Sequence, residues 1–128
     1  MAFVEPSNGA RIVVETSPIT CYTGLLNGTV NPGDPIFHNG TGWVQADDST
    51  EHLPPQMIAA EGGVSGGYIG IAYDAIIDFG SGCTATAGSD LFLSDTAGDY
   101  SASAGSVGRT IGLMLTAQVA HVWSKHSG

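Results

Sequence analysis

Turn-forming residues cut this chain into short apolar runs, and that punctuation limits the fold more than any other feature. Asn8-Gly9 precedes Arg11-Ile12-Val13-Val14-Glu15, Pro18 precedes Ile19-Thr20-Cys21-Tyr22-Thr23, and Asn31-Pro32-Gly33-Asp34-Pro35 precedes Ile36-Phe37-His38. β-Branched and aromatic runs bounded by Gly, Pro, Asn and Asp are strand signals. Asn27-Gly28 and Asn39-Gly40 read as hairpin pairs, since both residue types tolerate positive φ. Further strands are expected over 42–45, 91–94, 99–102, 109–115 and 118–123. The longest apolar run, 68–79, reads as a strand with a bulge near Asp74 or Asp78. The polar segment 47–55 ends in Pro54-Pro55 and reads as an exposed loop. No window shows a capped 3.6-residue period, and at most one short helix fits, near 53–60. The expected fold is all-β: a small single-domain β-barrel or β-sandwich of short strands and hairpins over 11–128, with an extended N-terminal arm over 1–10.

A chain of 128 residues fits one domain. Its hydrophobic share of 42% against a charged share of 12% argues against disorder, which needs the reverse balance. The net charge is −9, with Arg11, Arg109 and Lys125 as the only Lys or Arg residues. Nucleic-acid binding requires a basic patch to replace phosphate counterions, and three scattered bases cannot make one. An anionic membrane surface repels the same charge, and no apolar stretch reaches the roughly 18 residues of a spanning helix. Neither nucleic acid nor membrane is expected as a partner. Cys21 and Cys83 form no CxxC pattern; their count allows one disulfide, and two buried thiols is the preferred reading. The first residues lack the basic start and apolar run of a secretory signal, so synthesis in a reducing cytoplasm is expected.

Tests for chemistry come out negative. Gly63-Val64-Ser65-Gly66-Gly67 matches G-x-S-x-G, but that elbow needs a helix after the serine, and the strand-like Tyr68-Ile69-Gly70-Ile71 follows. Gly80-Ser81-Gly82-Cys83-Thr84-Ala85 matches a dinucleotide fingerprint, but Thr86-Ala87-Gly88-Ser89 breaks the helix that would bind the phosphate. Asp47, Asp48, Glu51 and His52 read as a solvated acidic loop rather than a cation site, since the D-x-D-x-D-G pattern is absent. Asp74 and Asp78, four apart on a strand, would sit ~13 Å apart, too far for a carboxylate pair. No catalytic residue, metal or cofactor is expected. One binding alternative stays open: a small carbohydrate- or receptor-binding module using Trp43 and Tyr100.

The sequence also echoes itself. Gly33-Asp34-Pro35-Ile36-Phe37, a polar turn and Trp43 correspond to Gly88-Ser89-Asp90-Leu91-Phe92, a polar turn and Tyr100, with Phe37 and Phe92 fifty-five residues apart. Met57-Ile58-Ala59-Ala60 and Ile111-Gly112-Leu113-Met114 follow the two copies. Common hairpin chemistry explains this, and so does a duplicated hairpin unit.

Together, Gly33–Phe37, the run from Gly88 to Gly98, Gly108-Arg109-Thr110-Ile111-Gly112-Leu113 and Ala120-His121-Val122-Trp123 resemble the small capsid decoration (cement) proteins of tailed bacteriophages. The resemblance spans about residues 31–123. It implies a non-enzymatic structural virion protein on the outer capsid surface, commonly a homotrimer at three-fold and quasi-three-fold positions, that stabilises the expanded shell. It implies two partners, the major capsid protein and further copies of the chain. Arms of such proteins commonly contact the shell, and here arm composition points to Phe3, Val4, Glu5, Pro6, Arg11 and Ile12 as the capsid-binding residues.

Overall fold

The computed structural model describes residues 12–15, 21–48, 56–80, 83, 85–106 and 108–123, with the backbone alone at 12–15 and 21–23. The described residues are all-β, in eleven strands: β1 (Ile12–Glu15), β2 (Cys21–Leu25), β3 (Pro35–His38), β4 (Trp43–Gln45), β5 (Met57–Ala59), β6 (Tyr68–Ala72), β7 (Asp74–Asp78), β8 (Asp90–Leu93), β9 (Tyr100–Ser101), β10 (Thr110–Met114) and β11 (Val119–Trp123). They form two antiparallel sheets, ordered β2-β6-β5-β3-β4 and β1-β7-β11-β10-β8-β9. Leu26, just past β2, bridges Trp43 on β4, so the five-stranded sheet curls until its two edges meet.

The echo in the sequence is a duplication of the whole sheet. Strands β2 to β6 in chain order occupy the same relative places as β7 to β11, and β1 adds to the outside of β7. The register repeats as well. Pro35 pairs with Ile58 and Ile36 with Met57 in the first half. Asp90 pairs with Leu113 and Leu91 with Gly112 in the second, each residue fifty-five positions on. Turn bonds repeat at the same offset: Gly33 N–H to Ala59 O at 2.8 Å against Gly88 N–H to Met114 O at 2.7 Å, and Ala59 N–H to Asp34 O against Met114 N–H to Ser89 O, both 2.9 Å. Gly33 and Gly88 both take positive φ, 81° and 84°, a conformation that costs any residue with a Cβ.

The 68–79 run is not one bulged strand. It breaks at Tyr73, where the chain leaves the five-stranded sheet at Ala72 and enters the six-stranded one at Asp74. Asn27-Gly28 makes no hairpin between neighbouring strands, because β2 pairs with β6 and β3 pairs with β4 and β5. Residues 57–59 are strand β5, not helix: Met57, Ile58 and Ala59 are all buried, which one helical face could not do for three consecutive residues.

Two apolar clusters result. The smaller lies within the first half and includes Leu26, Val30, Ile36, Met57, Ala59, Ile69 and Ile71. The larger fills the second half around Ile77, Leu91, Leu93, Tyr100, Met114 and Val122, and it also takes in Ala46 and Ile58 from the first. Ile58 is 0% exposed, so the outer side of the first sheet is packed against the second half.

Candidate functional site

Polar side chains concentrate where the two halves meet, and the folding of the segment after β4 explains why. Ala46 accepts a bond from Gly98 N–H at 2.9 Å, and Asp48 N–H donates to Ser94 O at 2.8 Å, so this segment runs beside the β8–β9 turn. That path brings Asp48 inside. Its Oδ1 accepts from Arg109 Nη1 at 2.9 Å and its Oδ2 from Gly108 N–H at 2.7 Å. Asp48 is fully buried, while the Arg109 side chain keeps 24% of its surface in solvent. Asp34 is the second fully buried carboxylate; it accepts from Asn31 N–H at 2.8 Å and Gln45 Nε2 at 2.7 Å. Tyr100 completes the seam, its hydroxyl donating to Gly33 O at 2.7 Å.

Beside the Asp48–Arg109 pair lies an open polar cleft of about 230 Å³, lined by Ser94, Asp95, Thr96, Ser101, Ser103, Ala104 and Gly105. Asp95 is its one carboxylate. Ser106 donates to it twice, from N–H at 2.9 Å and from the hydroxyl at 2.7 Å. Those two bonds, the backbone one foremost, hold the Asp95 carboxyl below the usual aspartate range. The cleft offers hydroxyls and one anion. Among the described residues no imidazole, thiol or amine lines it. Among the described residues no group of three or more His, Cys, Asp or Glu side chains is placed to hold a metal ion.

The residues singled out in the sequence fall in different places. Residues 1–11 lie outside the described structure, so Phe3, Val4, Glu5, Pro6 and Arg11 have no position; Ile12 opens the edge strand β1. Trp43 is half-buried against the first-half core, with its ring edge-on to His38 at 5.1 Å between centroids. Tyr100 overturns its expected role as a surface contact. It is 0% exposed, and its ring meets Phe79 edge-on at 5.4 Å. Trp43 and Tyr100 start equivalent strands of the two halves and both pack into the interior, so they form no shared platform.

The acidic segment is corrected too. Asp47 and Asp48 are buried, not solvated, while 49–55 lie outside the described residues. Asp74 and Asp78 share the outward side of β7, as expected for a strand, and Asp78 accepts from Gly80 N–H at 2.9 Å. Ser65 sits in an exposed turn. Cys83 is buried in the larger core. The Asp48–Arg109 pair went unread in the sequence. Its one signal is scarcity, because a chain with three bases leaves few partners for a buried acid.

No family model, curated protein or solved structure matches the chain.

Proposed function

We propose that this chain is a structural virion protein that binds the outer surface of a tailed-phage capsid and stabilises the expanded shell, acting as a trimer at three-fold and quasi-three-fold positions. The observation that carries the reading is the decoration-protein resemblance over 31–123. Its segments run through β3 of the first half and β8, β10 and β11 of the second. The all-β body and the net charge of −9 suit an external position, where the protein meets solvent and is kept from packaged DNA by repulsion. Stabilisation works by linkage: a protein that binds only the expanded shell lowers the free energy of that state. Many copies, each bridging neighbouring shell subunits, add by avidity. Contact through Phe3, Val4, Glu5, Pro6, Arg11 and Ile12 belongs to the same proposal.

The test is co-sedimentation of the full chain with expanded and unexpanded heads of the phage that encodes it, alongside light scattering of the free protein. Binding to expanded heads alone supports the reading, and so does a native mass near three times 13.0 kDa. Absence of binding to either form of head overturns it. Deleting residues 1–10 is expected to abolish binding; undiminished binding removes the arm from the proposal.

A further inference from the structure

We propose that the outward face of the six-stranded sheet is the protein-docking surface of the body, and that its occupant is the shell protein through a patch with an apolar centre and a lysine- and arginine-bearing rim. The occupant rests on the reading above; the surface itself follows from the duplication. Along β7 and β11, Ala75, Ile77, Ala120 and Val122 point inward and are 0% exposed. The alternate positions, led by Ile76, His121 and Trp123, therefore face out. On the outward side Leu113 pairs with His121, which pairs in turn with Ile76, making one cross-strand row. Trp123 borders that row, its ring 5.7 Å from His121. Leu113 is 38% exposed, and Leu115, two residues on, is 46% exposed. An antiparallel sheet facing only water carries polar residues at such positions.

The first half shows what this side of the sheet does. The row Asp90–Leu113–His121 corresponds to Pro35–Ile58–Ala72. There the centre, Ile58, is fully buried by the second half of the molecule. Among the described residues nothing covers Leu113. The second row keeps the apolar centre and replaces its apolar ends with an acid and an imidazole, which is the composition of an interface core and its rim. Asp74, Asp78 and Asp90 stand on the same side. A second copy of this face would bring acid against acid in a chain already at −9, whereas a basic rim complements it.

The experiment measures binding of the full chain to expanded heads at several salt concentrations. Two variants accompany it: L113E with L115E, and D90K. All three substitutions are at exposed positions, and circular dichroism verifies the fold. The expected results are at least tenfold weaker binding for both variants and weaker wild-type binding as salt rises. Wild-type binding with the L113E/L115E protein within twofold of it overturns the docking face while leaving the capsid reading standing. Tighter binding by D90K overturns the basic rim. Failure of the wild type to bind heads overturns the capsid reading and the occupant with it. A wild-type dimer abolished by L113E/L115E assigns the face to a second copy and overturns the shell as its occupant.

Discussion

Ile58 and Leu113 occupy equivalent places in the two halves, so truncating each to alanine is an internally controlled test of how the halves pack. Ile58→Ala removes roughly three methylene equivalents from a fully buried site, a transfer loss of about 2.4 kcal/mol at ~0.8 kcal/mol each. The space left, on the order of 80 Å³ if nothing relaxes, adds up to about 2 kcal/mol at ~24 cal/mol per Å³. The expected cost is therefore about 3–4 kcal/mol. Leu113 already has 38% of its surface in water, and its removal opens no enclosed cavity. Its expected cost is about 1 kcal/mol. The assay is chemical denaturation by urea, with a check that the slope against denaturant is unchanged. Equal costs at the two sites would refute the reasoning, because they would mean that the first sheet's outer side is no more buried than the second's. A small cost at Ile58 would do the same.

Four further outcomes are expected. Asp48→Ala leaves the Gly108 N–H and the Arg109 guanidinium without their acceptor; discounted for the partly exposed arginine, the loss is about 2–3 kcal/mol, read as a fall in Tm of roughly 10 °C. Tyr100→Phe keeps the ring contact with Phe79 and deletes the bond to Gly33 O, costing about 1–3 kcal/mol by urea denaturation. Gly105→Ala places a Cβ 2.7 Å from Asp48 Oδ2 and 2.8 Å from Asp95 Oδ1, so it destabilises in the same assay, whereas Gly88→Ala, with open space around it, costs only the ~1–2 kcal/mol of its positive φ. Because Ser106 lowers the Asp95 pKa in the folded state, its contribution is present above the unfolded aspartate pKa and is lost as pH falls through the folded one; the stability gap between wild type and Ser106→Ala, followed by thermal melts, should therefore close in acid.

Local chemistry made much of the strand layout legible. Asn39-Gly40 turns β3 into β4 because the Asn39 side chain accepts from Thr41 and Gly42 N–H and Gly40 takes φ 96°. The β10–β11 turn is held the same way by the Thr116 hydroxyl, which accepts from Gln118 and Val119 N–H. Misreadings came where partners are remote. Asp48 sits beside polar residues and near Pro54-Pro55, which looks like solvent, but Arg109, sixty-one positions later, draws it inside. Tyr100 reads as a surface aromatic in the sequence, but its hydroxyl meets Gly33 O, sixty-seven positions earlier, and its ring is buried against Phe79. Asn27-Gly28 has hairpin chemistry without a hairpin, because pairing between β2 and β6 wins over the local turn. The outward apolar row was invisible for another reason: Ile76, Leu113 and Trp123 are as apolar as the inward residues beside them, and only the register tells them apart.

The dependence of Ile58 on the second half has a consequence during synthesis. When residues 1–72 have left the ribosome, the strands of the first sheet are complete, but the surface that covers Ile58 has not been made. The bonds from Tyr100 to Gly33 and from Arg109 to Asp48 close loops of sixty-odd residues and wait on the last third of the chain. Such long closures make folding slow, and the nascent first half carries an uncovered apolar strip while it waits. A chain stopped at Ala72 therefore keeps its own small core but lacks the residues that bury Ile58.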